Sequence, residues 1–231
     1  MKYGIELEYG QEKEKEEEIK EYMEEQGGNL KSDSSVHTRY PFISREINTK
    51  VYNEEEVKET ASFFSFFYDK YVKEINESMG LHIHISFNEL ANFNALYSKR
   101  FISFFKKGLL EKFGHKEELK QRLKNRYCKP SYSKSYMQGK FKNSDRYKMI
   151  NFMAYERHGT VEFRIFNAPK TAQEVINYLN FTLETVNTYL VAQQYKINIV
   201  AKSEPTPYKM ELIEEINNKE NKININWLGV Y

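Results

Sequence analysis

Three short segments of the chain alternate apolar and ionisable residues with a period of two. Across residues 3–9, Ile5, Leu7 and Tyr9 alternate with Glu6 and Glu8, predicting a half-buried strand with both carboxylates on one face. Residues 81–87 repeat the pattern, with Leu81, Ile83, Ile85 and Phe87 on one side and His82, His84 and Ser86 on the other. In 160–166, Val161, Phe163 and Ile165 oppose Glu162 and Arg164. Between these strands the period changes to that of a helix. Ile19, Tyr22 and Met23 predict a surface helix over 12–26, stopped by Gly27-Gly28. Val57, Ala61, Phe64, Phe67 or Tyr68, Tyr71 and Ile75 predict a long helix with an aromatic stripe, which Asn53 and Glu56 would start. Residues 96–126 and 171–194 carry further helical patterns.

The remaining text is less regular. Residues 29–41 are polar and rich in turn formers, and 42–52 reads as an extended strand. Residues 127–148 form a basic, Tyr- and Ser-rich stretch of a length typical of a functional loop, with a flexible lid as one reading. The C-terminal extension, 203–231, reads as a short acidic helix and an aromatic tail.

Composition narrows the class. At 231 residues with 15% aromatics, the chain is long enough and greasy enough to build a proper core, and a disordered chain is excluded. Cys128 is the only cysteine, so no intrachain disulfide forms and a cytoplasmic location is expected. The most apolar stretch, 61–72, is broken by Asp69 and Lys70 and predicts no membrane span. Glu6 and Glu8 likewise argue against a secretory leader in the first residues. The net charge of +2 is unevenly spread: from Lys99 to Lys148 there are 16 Lys or Arg against 4 Asp or Glu. That region predicts an anionic ligand or a solvated basic face.

The polar faces hold the chemistry. An ordinary solvated face would carry Lys, Thr, Ser and Gln. Here the pairs are Glu6/Glu8, His82/His84 and Glu162/Arg164, each spaced about 6.5–7 Å along its strand. Alone, each pair has a plain structural reading, as a solvated edge or a cross-strand ion pair. Together they suggest ligands for divalent cations. Carboxylate oxygens with one imidazole per ion suit Mg2+ or Mn2+, and such ions hold phosphates. Neither a P-loop nor a Rossmann fingerprint occurs in the chain.

Taken in order, GIELEYG at 4–10, SDSS at 32–35, SREINT at 44–49, GLHIHIS at 80–86, RYKMIN at 146–151 and GTVEFRIFN at 159–167 resemble the amidoligase family of the glutamine synthetase and glutamate-cysteine ligase-like carboxylate-amine ligases. The resemblance covers about residues 2–190 and implies one catalytic domain over 1–231. It implies an α+β fold: a mostly antiparallel, curved sheet forming an open half barrel, with helices packed on its outer face. It also implies ATP, Mg2+ (with Mn2+ as a substitute), a small-molecule or peptide carboxylate, and an amine donor. By that resemblance Glu6, His82 and Glu162 hold the ion that bridges the nucleotide phosphates, and Glu8 and Glu46 hold the ion nearer the acceptor. His84 and Arg146 contact phosphate oxygens, and Arg164 stabilises the transferring phosphoryl group. Asp33 falls at a substrate-side acid, with Ser34 where the family's turn has glycine. Arg39 and Arg45 are candidate carboxylate clamps and Asn151 a candidate substrate contact. Two other readings stay open: a metal-dependent hydrolase built on His82, His84 and a glutamate, and a nucleic-acid-binding protein using the basic 99–148 region.

Overall fold

The period-two segments become the centre of one sheet. In the computed structural model, which describes residues 1–202 and side chains through 194, β1 (Lys2–Gln11), β5 (Gly80–Ser86) and β7 (Thr160–Asn167) lie side by side. The full order is β2-β3-β1-β5-β7-β6, with β2 at Asn29–Lys31, β3 at Ile43–Asn48 and β6 at Ile150–Asn151. β4 (Tyr52–Asn53) adds to β1 beside β3. Every strand pair is antiparallel, and the seven-stranded sheet does not close on itself. This is an α+β fold.

The apolar face of the sheet makes the core. Tyr3, Ile5, Leu7 and Tyr9 of β1, Leu81, Ile83 and Ile85 of β5, and Val161, Phe163 and Ile165 of β7 are all buried in one hydrophobic cluster. Helices close over them: α1 (Glu16–Glu25) with Ile19 and Met23, α2 (Val57–Lys70) with Phe63, Phe64 and Phe67, and α4 (Lys99–Phe113) with Phe101 and Phe105. The Tyr9 ring meets Phe67 edge-on at 5.2 Å, and Phe105 packs on Phe163 at 4.9 Å. α7 (Ala172–Lys202) lies alongside α2. Among the described residues, no helix is long and apolar enough to cross a membrane.

Several boundaries differ from the sequence reading, each for a local reason. The stretch 42–52 splits into β3 and β4, both paired with β1, and Asn29–Lys31 is a strand because it pairs with β3. The aromatic helix stops at Lys70 instead of reaching Ile75, because Lys73 and Glu74 turn their amides to the Gly10 carbonyl. The 96–126 pattern is broken. α3 (Leu90–Leu96) ends before Ser98, whose hydroxyl caps α4 by accepting from the Phe101 amide at 3.1 Å, and Gly114 separates α4 from α5 (Glu117–Arg122). Residues 127–148 are fastened down rather than hung as a free lid. The buried Tyr136 accepts at its hydroxyl from the Phe152 amide (2.9 Å), Tyr97 donates to the Tyr136 carbonyl, and the Ile150 amide donates to Tyr132 (2.7 Å). The helix over 171–194 continues to Lys202, and the reading of 203–231 falls outside the described residues.

Candidate active site

The pleat sends alternate residues of β1, β5 and β7 to the face opposite the core, and the register aligns them across strands. Glu6 sits opposite His82, Glu8 opposite Glu46, and His84 opposite Glu162. The side chains therefore converge. His82 Nδ1 lies 3.0 Å from Glu6 and 3.5 Å from Glu162, and its Nε2 lies 3.8 Å from Glu8. His84 Nε2 lies 3.3 Å from Glu6 and 3.9 Å from Glu162, while its Nδ1 meets the Thr160 hydroxyl at 3.0 Å.

Two groups of ligand atoms emerge. One comprises Glu6, His82 and Glu162, the other Glu8, Asp33 and Glu46, and within each group the ligand atoms lie within 4.8 Å of one another. The first is one imidazole with two carboxylates and the second is all carboxylate, a donor chemistry that fits hard divalent ions. The Nε2 of His82 is buried with no hydrogen-bond partner, its nearest acid being Glu8 at 3.8 Å. A protein gains nothing in stability by crowding carboxylates this way unless cations answer them.

Local charge already divides the groups. Burial pushes the Glu6 carboxyl up, but hydrogen bonds and charge from His82 and His84 outweigh it and hold the group well below the usual range. Burial likewise opposes ionisation of Glu162, yet Arg164, His84 and His82 keep its pKa low. Glu46 moves the other way, raised by burial and by the nearby Glu6 charge. Burial disfavours a charged His84, but Glu6 and Glu162 overcome it and raise its pKa.

Around this floor stand the walls. Arg164 pairs with Glu162 and reaches the Tyr127 carbonyl (3.4 Å), and Asn151 donates to Glu162 at 2.7 Å. Glu162 is therefore not a solvated group, as the alternation alone suggested, but a buried one held on two sides. A cleft of about 170 Å3 is lined by Glu6, His84, Asn151, Glu162 and Arg164 together with Arg146, Arg157 and His158. The last two belong to α6 (Ala154–His158), which the sequence reading did not anticipate as a helix; their one signal is the cationic dipeptide just before Gly159.

The other predicted residues fall into place or out of it. Asp33 lies with Glu8 and Glu46, with the Ser35 amide and hydroxyl both 2.7 Å from its Oδ1. Arg45 pairs with Tyr9 across the strands, its guanidinium binds Glu16 at 2.5 Å, and it does not line the cleft. Arg39 lies on the loop before β3 with its side chain 88% exposed, near Glu74, and does not line the cleft. The missed residue is Arg122. It is buried, its Nη2 hydrogen-bonds the Arg164 carbonyl at 3.4 Å, and its guanidinium fills the space a side chain at Gly80 would need. Gly80 in turn donates its amide to Glu8 at 2.5 Å.

The arrangement defines a class first: an antiparallel sheet whose open face gathers acids, imidazoles and arginines. A family model described as "Putative amidoligase enzyme" matches residues 95–186, which carry Asn151, Glu162 and Arg164. Over that stretch, under half of its length, the chain is similar to this family. No curated protein and no solved structure is significantly similar to the chain.

Proposed function

We propose that the protein is an ATP- and Mg2+-dependent carboxylate-amine ligase that makes an amide through an acyl phosphate, on a glutamine synthetase-like half barrel. The observation that supports this most is the convergence of Glu6, His82 and Glu162, and of Glu8, Asp33 and Glu46, on one face of the sheet, with arginines lining the cleft that Glu6 and Glu162 share. A carboxylate is a poor electrophile, because its charge repels nucleophiles and oxide is a poor leaving group. ATP solves this by phosphorylation. Divalent ions held by the two groups of acids would neutralise the phosphates and the attacking carboxylate.

In the first step the acceptor's carboxylate oxygen bonds to the γ-phosphorus as the bond to the β-phosphate oxygen breaks, releasing ADP. Arg164 and His84, fixed by Glu162 and Thr160, steady the charge spread over the moving phosphoryl group. The amine then attacks the acyl carbon, phosphate departs with the bonding electron pair, and the amine loses a proton. The packed 127–148 segment, which contributes Arg146 to the lining, walls the cleft from water that would otherwise hydrolyse the intermediate. Such a reaction belongs in the cytoplasm, where ATP is abundant.

The test is ADP release with Mg2+ across a panel of amino-acid and peptide carboxylates combined with amines. Turnover that requires both substrates and is lost in Glu6→Gln and Glu162→Gln supports the reading. A folded wild type that releases no ADP with any pair, or that hydrolyses amides with Zn2+ and no nucleotide, ends it.

A further inference from the structure

The cleft carries both signs of charge. Glu6 and Glu162 line it, and Glu6, His82 and Glu162 form one group of ligand atoms while Glu8, Asp33 and Glu46 form another. Arg146, Arg157 and His158 line the same cleft. The His158 ring stands edge-on to that of His84 at 6.3 Å.

The arginines differ in their partners. Arg164 is paired with Glu162, Arg45 with Glu16, and Arg39 lies near Glu74. Among the described residues neither Arg146 nor Arg157 forms an ion pair; Arg146 touches only the hydroxyl and ring of Tyr147. Two exposed arginines on separate elements, both lining one cleft and neither ion-paired, are free to take an anion there.

The carrier of Arg157 and His158 is held in place. Asn151 accepts the Met153 amide at 3.1 Å at the start of α6, Ala154 is buried, and Tyr155 stacks on Phe93 at 3.9 Å. At the other end Gly159, with φ of 66°, turns the chain directly into β7, so the dipeptide is held against the strand that carries Glu162. A fixed site of this kind binds without first having to order a loop.

We propose that Arg157 and His158 grip the outer phosphates of the nucleotide, jointly with Arg146, as a polyphosphate site on α6. The proposal deepens the ligase reading and rests on it for the identity of the ligand. The cleft volume of about 170 Å3 is well below the roughly 300–1,000 Å3 of pockets that enclose whole drug-sized ligands, so it holds the phosphate chain and leaves the nucleoside outside. Inorganic tripolyphosphate therefore occupies the same grip.

Calorimetric titration of Mg-ATP and of Mg-tripolyphosphate into wild type, Arg157→Gln and His158→Asn tests this, with Mn2+ titration as a check that the acidic floor is intact. The expected result is a weakening of at least about tenfold for both polyphosphates in Arg157→Gln and about threefold or more in His158→Asn, with Mn2+ affinity kept within about threefold. Wild-type affinity for both probes in the two variants overturns the proposal and reduces the pair to cations that complement a helix C-terminus. If wild type binds tripolyphosphate through Arg157 yet releases no ADP with any acceptor, the ligase reading falls and the grip stands. A wild type that binds neither probe overturns both.

Discussion

At the scale of single residues, the most consequential pairing is Gly80 with Arg122. A Cβ at position 80 would fall on the Arg122 guanidinium and 3.1 Å from His82 Nε2. Because Arg122 is buried, it cannot swing aside as a surface arginine would. Gly80→Ala is therefore expected to cost about 1–3 kcal/mol in chemical denaturation, and Gly80→Ala combined with Arg122→Ala to cost less than the two single changes added. Additive losses would show that the two positions do not meet. The glycine of the GLHIHIS motif is thus explained by the space it leaves, which no reading of one strand in isolation reveals. Asp33 teaches the same lesson: its neighbours Glu8 and Glu46 are a strand away and more than ten residues off in sequence.

At the scale of elements, the strands were legible because their signal is local. A period of two in β1, β5 and β7 names both the core face and the site face, and no distant contact is needed to read it. Where partners decide, the sequence was mute. Asn29–Lys31 is a strand only because β3 lies beside it, and Arg45 faces the helices only because its register with Tyr9 says so. The 127–148 segment looked loose from its lysines and serines, yet two tyrosines within it hold β6 and the start of α6. Tyr136→Phe removes the acceptor of the Phe152 amide and leaves that buried group unpaired. The expected loss is about 1–3 kcal/mol, seen as a lower urea midpoint with an unchanged slope. An unchanged midpoint would mean that the segment is not held there.

At the scale of the whole molecule, the sheet divides its work between two faces, with stability drawn from one and paid out as charge repulsion on the other. Gathering Glu6, Glu8, Asp33, Glu46 and Glu162 on one face stores repulsion that a divalent cation bound there would relieve. Mn2+ or Mg2+ should therefore raise the melting temperature of wild type, and chelation should reverse it. At a hundredfold excess over the dissociation constant the gain is about 2.7 kcal/mol. In Glu6→Gln combined with Glu8→Gln the metal-dependent rise should largely vanish; a rise of equal size there would place the ions elsewhere.

The sheet order has a consequence for how the chain comes together. β1, made early, lies in the interior between β3 and β5, while β7, which supplies Glu162, is made some 150 residues later. Pairings across such a separation form slowly, because a long loop must close before they are rewarded. A growing chain can assemble the β1–β3–β5 portion while the far edge of β5 stays open, and an open edge invites neighbouring chains. In refolding, aggregation should therefore be greatest before β7 docks, and the event that protects that edge is the same one that brings Glu162 to Glu6 and His82.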